Sequence, residues 1–170
     1  DKAVAILEPA LKNRADDNLS RLLITAYTFA KQPEQALTTA RALASSTPVK
    51  VENLWVLGRT ALQLQKLDIA DTALRNALAQ QADFLPAQLD LAQLHLLRKQ
   101  NDQAEEIYRI ALKQRPDLVS ALKGLVIAFA QKAAAPEAIE SQLLGVSNSA
   151  NAKAVVAEYY LRQQRLDDAE

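Results

Sequence analysis

The 170-residue chain contains no cysteine and no methionine, one histidine, three glycines and one tryptophan. Without cysteine there are no disulfides, no thiolate metal sites and no thiol chemistry, and the redox compartment stays open. The lone histidine, His95, removes ordinary support for Ser-His-Asp or Cys-His arrangements and leaves a histidine-based metal site with one ligand. Gly58, Gly124 and Gly145 stand far apart, so no glycine-rich phosphate loop can form. Neither sign of charge is in surplus: Lys plus Arg and Asp plus Glu both total 20, which gives no electrostatic case for a nucleic-acid or acidic-membrane partner. Aromatics make up 5% of the chain and do not alternate with a basic stripe. No apolar run approaches the ~20 residues that span a bilayer. The paired acids Glu105-Glu106 and Asp167-Asp168 sit near expected helix N-termini, where carboxylates suit the helix dipole, and adjacent helical residues do not face each other. No enzyme activity, cofactor or metal site is expected.

What is present is apolar content of 49%, enough for a substantial core, arranged at helical spacing. The stretch Leu85 to Val119 shows it best. Leu89, Ala92, Leu96 and Leu97 lie on one helical face. After the polar break Lys99-Gln100-Asn101-Asp102, the residues Ala104, Ile107, Tyr108, Ala111 and Leu112 form a second. Pro116 then closes the segment, since proline lacks the amide hydrogen and its ring clashes with the preceding turn. Helices this short are marginal alone and must pack on neighbours.

Such neighbours recur at a fixed interval. Ala36, Ala70, Ala104 and Ala138 are spaced by 34 residues. Around Ala70 stand Leu54, Leu57, Gly58, Leu74 and Ala77. The same slots hold Gln88, Leu91, Ala92, Tyr108 and Ala111 in the following frame, and Ser20, Leu23, Ile24, Ala40 and Leu43 in the preceding one. A period of this length made of two helices marks a helical solenoid. The small residues have a packing reason: antiparallel helices approach closely only where side chains are small. Gly58 and Ala70 are expected to face each other within a hairpin, with Ala77 and Ala111 seating the next one.

The pattern resembles the tetratricopeptide repeat, a helix-turn-helix unit of 34 residues. The segment from Leu85 supplies Leu91, Ala92, Ala104, Tyr108, Ala111 and Pro116, with His95 as a packing residue where an aromatic is usual. That from Val51 supplies Leu54, Leu57, Gly58, Ala70 and Ala77; that from Asp17 supplies Leu23, Tyr27, Ala36 and Pro48. The resemblance implies an all-α, right-handed α-solenoid of antiparallel helix pairs over a single domain, 1–170. Regular repeats are expected at 17–50, 51–84 and 85–118. Residues 1–16 read as the second helix of a truncated repeat, kinked at Pro9, and 150–170 as the start of a further one, with its first helix over Ala152 to Gln164 and its second beginning at Leu166-Asp167-Asp168-Ala169. In 119–149 the repeat is degenerate, because Gln142 falls where an aromatic is usual and Gly145 where alanine is; a shortened second helix is expected. Missing caps at both ends suggest a fragment of a longer array, with self-association through those ends as one consequence.

The resemblance also implies a groove lined by the first helices. Its expected surface comprises Arg21, Thr25, Trp55, Arg59, Leu62, Leu89, Gln93, Leu96, Lys123 and Ile127. Trp55 is either an exposed anchor beside Arg59 or a packing residue against the next first helix. The lysines, arginine and asparagines of a chaperone-tail carboxylate clamp have no counterparts in Arg21, Thr25, Val56, Pro86 and Asp90. The expected function is a non-catalytic protein-interaction scaffold that holds a peptide or helix in the groove, with no nucleic-acid partner. The alternative is a structural or self-assembling segment of a bacterial envelope machine, since the style of ILEPAL and FLPAQLDLAQL is similar to repeat proteins of exopolysaccharide export. The compartment is left open by the residues themselves; that likeness favours a bacterial envelope or periplasm over the cytoplasm.

Overall fold

The computed structural model describes residues 2–13 and 16–167, all of whose regular structure is helical. Ten helices follow in order: α1 (Lys2–Asn13), α2 (Asp17–Phe29), α3 (Pro33–Ala44), α4 (Val51–Gln63), α5 (Leu67–Gln80), α6 (Leu85–Leu97), α7 (Asn101–Gln114), α8 (Val119–Gln131), α9 (Pro136–Val146) and α10 (Ala150–Asp167). They form two compact units, Asp1–Asp90 and Leu91–Glu170. In the first, α1 packs on α2, α2 on α3, α3 on α4 and α4 on α5, while the first helices α2 and α4 also touch. In the second, α7 packs on α8, and α8, α9 and α10 meet pairwise. Pro9 lies inside α1, which continues past it to Asn13. The expected break between a first helix ending at Gln164 and a second starting at Leu166 is absent: α10 runs unbroken to Asp167, because the stretch Leu161 to Asp167 holds no glycine or proline to end it. Asp168 and Ala169, the rest of that expected start, lie outside the described residues.

Local chemistry explains where the helices begin and end. Asp16 caps α2, its Oδ1 accepting from the amides of Asn18 at 2.8 Å and Leu19 at 3.0 Å. Pro33 and Pro136 occupy the first helical turn, where a missing amide hydrogen costs nothing. Four first helices end alike. Lys31, Gln65, Lys99 and Ala133 adopt φ of 56° to 57°. Immediately after them, the amides of Gln32, Lys66, Gln100 and Ala134 donate to the carbonyls of Tyr27, Ala61, His95 and Phe129. This is the Schellman closure, usually built on glycine but here on residues that carry a Cβ. His95 is buried beside its turn, with Nδ1 2.7 Å from Gln100 Oε1.

The core is built on the recurring small residues: Ala36, Ala40, Ala70, Ala77, Ala104 and Ala111 are fully buried. Gly58 lies against α5, where the Leu74 side chain fills the space that glycine leaves: a Cβ would come 2.7 Å from Leu74 Cγ. In the second unit Gly124 of α8 lies under the ring of Tyr108 in the same way.

The fourth repeat departs from the others by one residue. Three residues separate the earlier first and second helices (30–32, 64–66 and 98–100), whereas four, 132–135, separate α8 from α9. The extra residue moves the α9 pattern one position on. Ile139 and Leu143, not Ala138 and Gln142, are the buried residues. Gly145 has no atom within 4 Å of where a Cβ would stand. At 11 residues α9 is shorter than the other described helices.

Candidate functional site

In the first unit, α2 and α4 lie side by side and their outward faces enclose a groove of about 360 Å³. Arg21, Thr25, Thr28 and Phe29 line it from α2, and Trp55, Arg59 and Gln63 from α4. Helical spacing puts Arg21, Thr25 and Thr28 on one face, as it does Trp55 and Arg59. The Thr25 and Thr28 hydroxyls donate back to the carbonyls of Arg21 and Ile24, which satisfies their oxygens locally. Phe29, at the end of α2, is 85% exposed, more than any other large apolar side chain described.

Trp55 is held on three sides. Its Nε1 donates to Asp90 Oδ2 at 2.7 Å, its ring meets Phe84 edge-on with centroids 6.0 Å apart, and the Arg59 guanidinium lies over it, 5.4 Å from the centroid. The indole is therefore both a packing residue against the start of α6 and part of the groove wall. Asp90 is 9% exposed. Burial pushes its carboxyl above the ordinary aspartate range, against the opposing pull of the Trp55 hydrogen bond and the Arg59 charge. Arg21 reaches across to α4, donating from Nη2 to Asn53 Oδ1 at 2.7 Å. Asn53 is fully buried, and its Nδ2 reaches Asp17 Oδ2 at 3.1 Å and Ser46 Oγ at 3.3 Å. Asp17 also accepts from Lys50 at 2.8 Å, a bond that holds its carboxyl below the usual aspartate value. This network fixes the spacing of α2 and α4 at the end of the groove.

Not every anticipated residue belongs to that surface. Leu62 is 5% exposed and sits in the core. Leu89 is half-buried, and it is not among the residues lining the α2–α4 groove. In the second unit Gln93 is exposed but Leu96 is 6% exposed, so it is the next residue, Leu97, that reaches solvent.

Lys123 and Ile127 line a separate, smaller groove of about 100 Å³ between α8 and α10, with Val155, Glu158, Tyr159 and Arg162. There Lys123 Nζ lies 2.7 Å and Arg162 Nη2 2.8 Å from Glu158, and the Lys123 hydrogen bond holds that carboxyl below the ordinary glutamate range. Phe29 and Asp90 are the residues that sequence reasoning missed. Phe29 occupies the slot at the end of its first helix that Leu97 occupies in a later one, and that slot was the available signal. Asp90 carried none, because a lone aspartate inside an apolar helix does not announce its partner. Among the described residues no group of three or more His, Asp or Glu side chains could hold a metal ion, and no helix is long and apolar enough to cross a membrane.

No protein-family model matches the chain, and no curated protein sequence does so either. Solved structures match it closely in fold. MamA superposes with a TM-score of 0.68 at 17% identity, over 95% of this chain and 89% of its own. YrrB, described as a tetratricopeptide-repeat protein with an unusual peptide-binding site, gives 0.67 at 13% identity over 94% and 82%. A tetratricopeptide-repeat protein from Parabacteroides merdae gives 0.74 at 20% identity, over 96% of this chain and 65% of that one. The helix pairs, the recurring turns, the buried small residues and these likenesses agree: the chain has the all-α tetratricopeptide-repeat fold.

Proposed function

We propose that the chain is a non-catalytic protein-interaction module and that the α2–α4 groove of the first unit receives a peptide or a helix. One observation carries the reading: Phe29, 85% exposed, stands in the same groove as a tryptophan fixed by three neighbours. Rigid, partly exposed aromatic residues with an arginine beside them are the composition of binding hot spots, because they bury much area with little loss of rotamer freedom. Supporting it, YrrB is a protein of this fold described with a peptide-binding site.

The test uses Trp55, the one tryptophan, as its own reporter. Short random peptides displayed on phage are selected on the chain, and the recovered sequences are titrated while Trp55 emission is followed. The expected result is a set of peptides that shift that emission and lose about tenfold in affinity on Phe29→Ala, the loss typical of an anchor residue. Recovery of no peptide, or of peptides indifferent to Phe29→Ala, overturns the reading. Light scattering on the same samples addresses self-assembly. A dimer dissolved by Phe29→Ala would mean that a second copy fills the groove.

A further inference from the structure

We infer that the segment received by the α2–α4 groove is acidic: an Asp or Glu carboxylate pairs with Arg59, with Arg21 beyond it, while an adjacent apolar side chain covers Phe29. This rests on the peptide-binding reading and adds the chemistry of the partner.

Charge in the groove is one-sided although the chain is balanced. The lining holds two guanidinium groups and no carboxylate, in a protein with 20 basic and 20 acidic residues. Arg59 is exposed and stacked on Trp55, and among the described residues it forms no ion pair. Stacking occupies the flat face of a guanidinium and leaves its in-plane N–H donors for a carboxylate, the geometry arginine pairs with best. Arg21 is bonded to neutral amide oxygens, those of Asn53 at 2.7 Å and Asn18 at 3.3 Å. The acids nearby are engaged without closing on either guanidinium: Asp17 holds Lys50, and Asp90, buried with an oxygen on the Trp55 indole, feels the Arg59 charge but does not pair with it. The second unit provides the contrast. Its cations, Lys123 and Arg162, both close on Glu158, so that groove neutralises itself.

A nucleic acid is the other polyanion to weigh. Its affinity comes from many phosphate contacts summed along a basic track. Two arginines flanking Phe29 and Trp55 do not make such a track. They suit a short segment in which one or two carboxylates alternate with apolar side chains.

The composition of the peptides selected on the whole chain decides the matter. They are expected to be enriched in Asp and Glu over the starting library. Replacing those acids by Asn and Gln should weaken binding about tenfold, and Arg59→Gln should do the same with the helical circular dichroism unchanged. Affinity should also fall as salt is raised. Phe29-dependent peptides with no enrichment in acids would overturn this inference and leave the peptide-binding reading standing. The absence of any Phe29-dependent peptide would remove both. An oligothymidylate that displaces the acidic peptides at equal concentration would overturn it too, by showing a site for phosphates.

Discussion

Asp90 and Trp55 show how one buried pair settles the character of the groove wall. The carboxylate loses hydration and regains a hydrogen bond from the indole at 2.7 Å, and burial outweighs that bond, holding its pKa above the ordinary aspartate value. Asp90→Asn keeps an acceptor for Trp55 and removes the buried charge, so the urea midpoint at neutral pH should rise. Asp90→Ala leaves the indole without that acceptor and should cost about 1–3 kcal/mol. Trp55 emission reports both transitions, and a lowered midpoint for the asparagine variant would mean that attraction to Arg59 dominates. Two glycines make a second residue-scale test. Gly124 lies under Tyr108 and Gly145 faces open space. Gly124→Ala should destabilise by about 1–3 kcal/mol through overpacking. Gly145→Ala, inside α9, should stabilise by roughly 0.5–1 kcal/mol through backbone entropy alone. Circular dichroism in urea reads both. In sequence each is an isolated glycine, Gly124 in an apolar helical stretch and Gly145 at the head of the turn-rich GVSNSAN, and nothing local to either reports what stands over it.

The helices themselves were legible because their signal is a periodicity repeated every 34 residues: Ala36, Ala70 and Ala104 are each fully buried inside a second helix. What escaped was what depends on a turn. The added residue between α8 and α9 makes 119–149 look degenerate when it is read in a fixed frame. Shifted by one, Ile139 and Leu143 fill the apolar slots that Ala138 and Gln142 seemed to leave weak. The groove face was legible for Arg21, Thr25, Trp55 and Arg59, which line one groove together. It was not for Leu62, because near the end of a helix a small rotation decides between core and solvent. The closing turns escaped as well, since glycine is the usual sign of a left-handed residue and Lys31, Gln65, Lys99 and Ala133 carry none. A left-handed conformation costs a residue with a Cβ roughly 1–2 kcal/mol. Gln65→Gly and Ala133→Gly should therefore each raise stability by about 1 kcal/mol, less the entropy glycine adds to the unfolded chain. The same substitution at Gln63, within α4, should lower it by a similar amount. Equal effects at Gln65 and Gln63 would mean that the turn is not left-handed in solution.

At the scale of the whole molecule, balanced charge leaves stability to respond to pH through a few paired groups. On the acid side, hydrogen bonds from Lys50 and Asn53 lower the pKa of Asp17. For Glu105, burial acts upward but is outweighed by hydrogen bonds from Lys132 and Arg109, so its pKa is lowered as well. A lowered folded pKa means the unfolded chain binds protons first. The stability these groups contribute is thus present above the ordinary values of 3.8 and 4.5 and is lost as pH falls through their folded values. Asp90 acts with the opposite sign, since its raised pKa favours the protonated folded form as pH falls. On the alkaline side, Tyr27 donates to Glu8 Oε1 at 2.5 Å, and that bond with a carboxylate, aided by burial, pushes the phenol up to about 12. Its contribution is complete below 10 and disappears as pH rises through about 12. On the same side, hydrogen bonds to Asp102 and Glu105 hold the Lys132 ammonium above the ordinary lysine value, so its pairing too is lost as pH rises through its folded value. Stability against pH should therefore be a plateau with two shoulders. Lys132→Met should flatten both, Tyr27→Phe the alkaline one alone, and Asp90→Asn should steepen the acid fall by removing the contribution that opposes it. Urea midpoints measured across the range for the three variants check the assignment. An acid shoulder unchanged by Lys132→Met would leave two other lowered carboxylates as its origin, Asp17 beside Lys50 and Glu158 beside Lys123; Lys50→Met would then separate them, and an effect there would place acid sensitivity in the network that spaces α2 and α4.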